Sequence, residues 1–343
     1  MMIRTALPVL IAPLALTWAA ARGFGADTPH PLADPGDNFG GALAPFGDTA
    51  GGIWSVLVAA AFLAGFAAVV GDADRRWRAR RVVVGAAAIL GLLTLDHTLL
   101  MLLGYLPMLI GRLIAGNTDA VADLASPGLG VQVSVAVGVV ALLLALRRRA
   151  PAEPPADVRS ALAAATARNR RWTMIAMEAP LVYAATRLLM FVEAPGFGGF
   201  DEMTRLAGLG LAFASITGAI LTWGLMRPWG ERFPRWMVGL AGRRVPVDLA
   251  VIPAMAVAGL VLAASRAVLI GMLEAPAGAW DRVLGSPLVS LPHLLWPLWG
   301  VSLAFAALSY QRRRRLSDLL SRSAAVTTDH DTGAHRRSAG VTS

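Results

Sequence analysis

The chain has 343 residues, of which 56% are hydrophobic and only 15% are charged, whereas a soluble domain carries about 25% charged residues. Its formal net charge is +9, and the absence of cysteine and lysine excludes disulfide bonds, thiol catalysis, cysteine-ligated metals and Schiff-base chemistry. The predicted elements are apolar segments of about twenty residues, the length at which a helix spans a bilayer. Eight segments follow one another at about residues 5–21, 52–71, 82–104, 128–146, 173–192, 206–226, 248–273 and 288–310.

The first apolar segment has two interpretations. Ala19 and Ala21 form a small-residue site of the kind that signal peptidase cleaves, so 5–21 could be a removable leader. However, Arg22 follows the segment, and the other segments that run in the same direction also carry an arginine near that end. This shared plan favours an uncleaved first helix. The stretch at 22–51, rich in Gly, Pro and Asp, is then predicted to be an external loop.

Arginine is distributed unevenly between the connections. After the first segment, nearly every second connection is rich in arginine, and the others are acidic or nearly neutral. Because basic loops remain on the cytoplasmic side, the pattern predicts a bacterial plasma-membrane protein with both termini in the cytoplasm. The same arginines favour the bilayer and its anionic cytoplasmic lipids as partners, rather than nucleic acid, and leave protein partners open. The clusters lie at residues 75–81, 147–149, 168–171, 227–244 and 312–315.

The longest cytoplasmic connection divides the chain. Residues 1–146 are predicted to form a first membrane half of four helices, and residues 173–316 a second half of four. Between them, 147–172 is a linker that begins with a Pro-rich extended stretch and continues as a short surface helix, with Asp157 as the candidate N-cap. The polar tail at 317–343 lacks a periodic pattern and is predicted to be disordered.

Two stretches of the second half resemble each other. Ala-Ala-Thr-Arg at 184–187 is followed by Glu-Ala-Pro at 193–195, and Ala-Ala-Ser-Arg at 263–266 is followed by Glu-Ala-Pro at 274–276. Each copy is the outer end of an outward-running helix and its exit into a glycine-containing loop. The pattern is compatible with a duplicated helical hairpin, as in transporters built from parallel repeats, and also with chance convergence of small-residue-rich helices.

Five ionisable residues fall within the apolar segments at a similar predicted depth. A charged side chain in the membrane core costs about 2.5–3.5 kcal/mol, so each one needs a reason. One hypothesis is a polar pocket that opens outward, in which the arginines hold an anionic group and Asp96 or His97 transfers a proton. The other is structural: Asp96 pairs with one arginine while the second reaches the headgroups. The candidate binding residues are Asp96, His97, Arg187, Arg266 and His293.

The sequence contains few features of an enzyme active site. His97 and His293 lie at similar predicted depth, as axial haem ligands would, but hydrogen-bonded polar side chains are the favoured interpretation. The sequence contains no Asp-rich metal motif, no Ser-His-Asp arrangement and no glycine-rich phosphate loop. We therefore predict no catalytic residue, no metal and no cofactor, and the sequence leans away from an enzyme without deciding the question.

Several motifs resemble a family of multi-pass membrane proteins common in actinobacteria. They are Tyr-Ala-Ala-Thr-Arg at 183–187, Trp-Gly-Glu-Arg-Phe-Pro-Arg-Trp at 229–236, Gly-Arg-Arg-Val-Pro at 242–246 and His-Leu-Leu-Trp-Pro-Leu-Trp at 293–299. The resemblance covers about residues 173–315 and implies an integral membrane protein, and the family supplies no established activity. The segment at 229–236 alternates arginines with aromatic residues, which suits a segment lying in the headgroup layer.

Together these features predict an all-α, polytopic transmembrane bundle of about eight helices, and the repeated motif is compatible with a plan of repeated helical hairpins. The favoured function is transport or small-molecule binding through an outward-facing polar pocket. One alternative is a membrane-embedded enzyme that acts on a lipid or a redox cofactor. The other is a non-catalytic accessory or structural subunit of a membrane complex.

Overall fold

The architecture is a bundle of α-helices, which confirms the predicted all-α class. A computed structural model describes residues 7–25, 28–34, 41–71, 77–118, 124, 126–147, 155–274 and 287–339, and these residues form ten α-helices and no β-strand. Short 3-10 helices adjoin them at Leu7–Leu10, Gly41–Phe46, Pro228–Gly230 and Leu291–Leu295. The α-helices are α1 Ile11–Gly23, α2 Gly47–Val70, α3 Trp77–Thr94, α4 Thr98–Ile114, α5 Pro127–Arg147, α6 Val158–Phe191, α7 Glu202–Gly224, α8 Val247–Glu274, α9 Pro287–Ser290 and α10 Trp296–Ala339.

Five of the described stretches are long and apolar enough to cross a membrane. They carry large apolar side chains on the outside of the bundle, such as Phe213 and Leu221 on α7, which are 59% and 64% exposed. An apolar outer surface of this kind is stable against lipid and not against water. The chain is therefore a helical membrane protein. The five stretches are Leu43–Val70, Pro127–Ala145, Val158–Phe191, Thr204–Gly224 and Val247–Arg266, and a shorter apolar stretch covers Leu7–Gly23.

Two predicted segments are interrupted in the structure. The segment at 82–104 is not one helix, because α3 ends at Thr94 and α4 begins at Thr98. The segment at 288–310 contains α9, a 3-10 helix at Leu291–Leu295 and the start of α10. Pro292 and Pro297 lie at this second interruption, where a proline nitrogen cannot donate the helical hydrogen bond.

Two other segments are more continuous than the sequence predicts. The surface helix expected in the linker at 147–172 is the first part of α6, which runs unbroken from Val158 to Phe191. Asp157 is its N-cap, as predicted, and its side chain accepts hydrogen bonds from the Arg159 and Ser160 backbone N–H groups. In the tail at 317–343, α10 continues to Ala339, where the sequence predicts disorder. Leu316 is 5% exposed, so the first turn beyond the apolar segment already buries a side chain.

The helices pack in two groups that follow the order of the chain. Helices α1, α2, α3 and α5 form the first group, and α6, α7, α8 and α10 form the second. Helix α4 leaves the first group and packs against α7 and α8 of the second. The main core of buried residues lies in the first group and includes Leu16, Phe62 and Leu142.

Glycines allow the helices of the first group to approach closely. A methyl group at Gly91 of α3 would lie 2.6 Å from the Val139 side chain, and one at Gly138 of α5 would lie 2.7 Å from the Phe62 ring. Membrane helices associate through such small residues, since lipid provides no hydrophobic driving force between them. Helices α3 and α5 are antiparallel. Gly91 of α3 lies beside Val139 of α5, whereas Ala87, which comes earlier in α3, lies beside Leu142, which comes later in α5.

The connection between α7 and α8 is fixed to α10 by arginines. Arg313 Nη2 donates to the Leu225 carbonyl oxygen at 3.3 Å and to Glu231 Oε1 at 2.7 Å. Arg244 Nη1 donates to Asp318 Oδ1 at 2.8 Å. These contacts bring the C-terminal end of α7, the residues before α8 and the arginine run of α10 to one end of the second group.

The predicted external loop at 22–51 contains a buried histidine. His30 is 0% exposed, its Nδ1 accepts from the Leu32 backbone N at 3.2 Å, and its Nε2 donates to Ser55 Oγ at 3.0 Å. Its backbone N–H donates to Asp48 Oδ1 at 2.7 Å. Burial lowers the pKa of His30, and the nearby Asp48 carboxylate opposes part of this shift. The imidazole is therefore held in its neutral form, and it ties the loop to α2.

Candidate functional site

The interruption between α3 and α4 lies inside the bundle. Leu95 and Asp96 are 1% and 3% exposed. Asp96 Oδ1 accepts a hydrogen bond from the Thr98 backbone N at 2.8 Å, and the Asp96 backbone N donates to Gln132 Oε1 of α5 at 3.3 Å. The aspartate thus accepts from the first N–H group of α4 in an Asx turn, one residue before the N-cap, His97. Helix α4 thus begins within the apolar segment predicted at 82–104, where every backbone polar group needs a partner.

Arg266 of α8 satisfies the other side of this interruption. Its Nη2 donates to the Leu95 carbonyl oxygen at 3.0 Å. The Asp96 carboxylate is close enough to stabilise the positive charge, although the guanidinium binds the backbone rather than the carboxylate. Arg266 therefore links α8 to the broken helix, and its charge is balanced within the bundle instead of being left isolated.

Arg187 of α6 belongs to a separate aromatic cluster. Its Nη2 donates to His293 Nε2 at 3.2 Å, which leaves the imidazole proton on Nδ1. The guanidinium also lies over the Tyr183 ring, 4.7 Å from the ring centroid. The His293 ring packs edge-on against Tyr183 at 5.4 Å and beside Trp296 at 4.9 Å. The 3-10 helix that carries His293 is thus held against the C-terminal part of α6.

The five predicted binding residues do not form one contiguous group. Asp96 and Arg266 meet at the helix interruption, and Arg187 and His293 meet in the aromatic cluster. His97 follows Asp96 directly, but its side chain is exposed. Both residues lie in the interruption between α3 and α4, where Asp96 is buried and His97 is not. The two copies of the sequence repeat therefore place their arginines in different surroundings, and the residues that follow Glu274 in the second copy lie outside the described part of the chain.

A cavity of about 650 Å³ lies between the two helix groups. This volume is within the range of about 300–1,000 Å³ that is typical of small-molecule sites. Helices α3, α4 and α5 line one side, and α8 and α10 line the other. The lining residues are leucine, valine, isoleucine, methionine, alanine and glycine, except for Arg81, Gln311 and Arg315.

The cavity runs along the helix axes. Its lining residues are Arg81 and Leu92 of α3 and residues within 133–144 of α5, 251–262 of α8 and 304–315 of α10. Each run rises by about 16 Å along its helix, which is close to half of the hydrocarbon thickness of about 30 Å. The cavity therefore matches the depth of one leaflet. Its apolar end includes Leu95 of the helix interruption.

Sequence reasoning missed this cavity for a physical reason. Leucine, valine and alanine on a membrane helix face lipid, another helix or a cavity equally well, so periodicity does not distinguish the three. Arg81 and Arg315 lie in the arginine clusters that predict orientation, and nothing in the sequence indicates that they share a cavity. The single signal for the interruption was Asp96 itself, a capping residue within an apolar run.

Comparisons with known proteins add no further assignment. No family model, curated protein or solved structure matches the chain. Among the described residues, no three His, Asp or Glu side chains are grouped in a way that could hold a metal ion.

Proposed function

We propose that the protein is a transport or small-molecule-binding membrane protein whose cavity holds the apolar part of an amphiphile. The observation that carries this proposal is the cavity of about 650 Å³ between the two helix groups, lined almost entirely by apolar side chains. An apolar site of this size between helices is a common form of ligand site. Burial of a hydrocarbon chain in it stabilises the complex in proportion to the apolar area that is covered.

The interruption between α3 and α4 supports a role in transport. Discontinuous helices at membrane depth recur at the binding sites of secondary transporters, where they let part of a helix move or bind substrate. Here Leu95, Leu99 and Leu102 follow α3 and line the cavity. Because α4 packs against the second helix group, a shift of that group changes this wall of the cavity directly.

The predicted polar pocket takes a different form in this proposal. Asp96 and Arg266 bind the backbone of the interruption and thereby stabilise the apolar end of the cavity. In this proposal they do not contact a polar substrate. Arg187 and His293 hold the start of α10 against α6. The pairing of these charged groups also favours a second candidate function, a structural subunit of a membrane complex. The enzyme alternative has less support, since the polar side chains of the cavity are two arginines and a glutamine.

We also propose that the protein lies in a bacterial plasma membrane, with both termini and the arginine-rich ends in the cytoplasm. The orientation follows from the arginine asymmetry. The connection before α8 supports contact with anionic lipid there, because Trp236 and Val238 are 78% and 98% exposed beside Arg235. Reporter fusions at Gly239 and Ser323 should read as cytoplasmic and a fusion at Gly199 as external. A cytoplasmic reading at Gly199 would contradict this orientation.

The binding proposal can be tested with a neutral apolar probe. A pyrene-labelled monoacylglycerol should bind the purified protein in detergent, with saturable pyrene fluorescence. Val137→Phe and Ala256→Phe place a ring in the cavity and should weaken binding by about tenfold or more, since the displaced chain loses its apolar contacts. Val56→Phe is the matched control, because Val56 is an exposed residue of α2 outside the cavity. Equal binding to all three variants and the wild type would refute the proposal.

A further inference from the structure

Glu178 is an acidic residue on the outer surface of the helix bundle, within the apolar part of α6. This part follows Arg170 and Arg171, runs from Trp172 to Phe191, and belongs to a stretch that is long and apolar enough to cross a membrane. Glu178 lies six residues after Trp172, about 9 Å further along the helix axis, and its side chain is exposed. The position is unusual, because carboxylates in membrane spans almost always face the bundle interior or a water-filled cavity.

The face of α6 that carries Glu178 is otherwise apolar. Met174, Leu181 and Val182 lie three or four residues from Glu178 and are 49%, 43% and 43% exposed. Residues at these spacings share one face of a helix. Ala185, seven residues after Glu178, is exposed on the same face. Helix α6 packs against α7 and α10, and within the described part of the chain these contacts leave this face uncovered.

The Glu178 carboxylate has no partner among the described residues, since none of their hydrogen bonds or ion pairs involves it. Arg171 is seven residues away, about 10 Å along the helix axis. Lysine and arginine have long apolar stems that carry their charge to the headgroups, whereas the stem of a glutamate is short. The carboxylate therefore needs a hydrogen-bond donor that lipid tails do not provide.

We infer that this face of α6 is the interface with a transmembrane helix of a different protein, whose arginine or lysine pairs with Glu178. Charge complementarity identifies the chemistry of the partner, because a cationic side chain within a membrane is costly alone and is stabilised by a carboxylate at the same depth. Polar side chains hold membrane helices together, and a small residue such as Ala185 allows close approach. The assembly goes beyond the proposed function, because ligand binding in the cavity does not require a second protein.

A second copy of the chain, packed through the same face, does not provide the required cation. Copies with one orientation in the membrane are related by an axis along the membrane normal, so each residue meets residues at its own depth. Opposite Glu178, the copy presents its own Glu178 or the apolar side chains around it, and two carboxylates repel each other. The exposed arginines of α6 all precede Trp172 and lie nearer the membrane surface: Arg159, Arg168, Arg170 and Arg171.

The experiment uses a synthetic transmembrane helix as the probe. A dansyl-labelled helix of leucine and alanine with one central arginine, and the same helix with leucine at that position, are added to the full-length protein in phosphatidylcholine vesicles. Energy transfer from the tryptophans of the protein measures binding. The wild type should bind the arginine helix about tenfold more tightly than the leucine helix. In Glu178→Leu this preference should fall to about twofold or less, and in the control Glu202→Leu, which removes an exposed carboxylate outside the apolar stretch Thr204–Gly224, it should remain.

Four results would overturn the inference. Equal binding of the two helices to the wild type would show that no cation is recognised, and an unchanged preference in Glu178→Leu would show that another residue recognises it. Loss of the preference in Glu202→Leu would mean that general charge is responsible. A lower midpoint of thermal unfolding in Glu178→Leu would reveal a partner of the carboxylate within the chain.

A further measurement separates a different protein from a second copy. Energy transfer between donor-labelled and acceptor-labelled copies of the chain in the same vesicles should be equally low for the wild type and for Glu178→Leu. Transfer in the wild type that is lost in Glu178→Leu would identify a second copy as the occupant, which contradicts the assignment. The cavity is tested independently, because Val137→Phe should weaken binding of the neutral probe and leave the preference for the arginine helix unchanged.

Discussion

Replacing Arg314 should destabilise the protein, whereas the same change two residues earlier should not. Arg314 is 7% exposed, its Nη1 donates to the Tyr310 hydroxyl oxygen at 2.7 Å, and its Nη2 donates to the Val245 carbonyl oxygen at 3.1 Å. The Tyr310 hydroxyl in turn donates to the Gly230 carbonyl oxygen at 2.7 Å. The side chain therefore joins α10 to the connection that precedes α8. Arg312, in the same arginine run, is exposed.

The size of the effect follows from these contacts. Arg314→Met keeps most of the apolar stem but removes two hydrogen bonds from a charged donor, each of which contributes about 1.5–3 kcal/mol. Removing the buried charge also removes its desolvation penalty, which offsets part of this loss. The free energy of unfolding should therefore decrease by about 3 kcal/mol. At about 2 °C per kcal/mol, the value for larger domains, the midpoint of thermal unfolding should fall by about 6 °C.

Thermal unfolding of the purified protein in detergent, followed by tryptophan fluorescence, measures this shift. Arg312→Met is the control and should change the midpoint by about 1 °C or less, since exposed substitutions have small effects. Tyr310→Phe should cost less in the Arg314→Met background than in the wild type, because the two side chains act through one hydrogen bond. Equal shifts for Arg312→Met and Arg314→Met would refute the reasoning.

Two further predictions concern buried ionisable groups. Arg266→Leu should destabilise the protein, because the Leu95 carbonyl loses its donor and Asp96 loses a favourable positive charge. Asp96→Asn keeps an oxygen that can accept from the Thr98 N–H group, so it should destabilise the wild type but be neutral or stabilising in the Arg266→Leu background. The lowered pKa of His30 means that the unfolded chain takes up a proton more readily, so the stability should be fully present above about pH 6.5 and fall as the pH drops below it. His30→Gln should remove this part of the acid sensitivity.

Each of these predictions has a direct control. For the Asp96 and Arg266 pair, thermal midpoints of the two single variants and the double variant form a cycle, and additive shifts would show that the two charges do not interact. For His30, thermal midpoints between pH 5 and pH 8 are compared with those of His97→Gln, which changes an exposed histidine. If His97→Gln flattens the pH profile and His30→Gln does not, the assignment is wrong.

The sequence predicts a helical membrane protein, because the length of each apolar segment can be read directly from its residues. It also predicts the Asp157 cap, since an aspartate before a helix accepts from the first free N–H groups. The same chemistry at Asp96 was hidden, because twenty apolar residues around one aspartate resemble a continuous span. The aspartate accepts from the first N–H group of the second piece, and Arg266, which is distant in sequence, donates to the Leu95 carbonyl oxygen at the interruption.

Burial is the property that sequence reasoning could not assign to particular residues. Four consecutive arginines at 312–315 have the same chemistry, yet Arg314 is buried and Arg312 is exposed, because a helix turns each towards a different neighbour. His30 lies in a stretch whose glycines and prolines indicate an exposed loop, yet its ring packs against Gly23 and Gly51. Arg314 donates to the Val245 carbonyl oxygen, 69 residues away, and His30 is hydrogen-bonded to Ser55, 25 residues away, so the neighbouring sequence does not identify either partner.

The path of α4 makes the two halves of the chain interdependent. The chain leaves the first helix group at the interruption, passes through α4 against α7 and α8, and returns to the first group as α5. If the gene were divided between α5 and α6, neither polypeptide would fold stably alone. The first would expose the surface of α4 that packs against α7 and α8 in the intact protein. Co-expression of the two pieces should restore assembly, with α4 acting as the segment by which one fragment recognises the other.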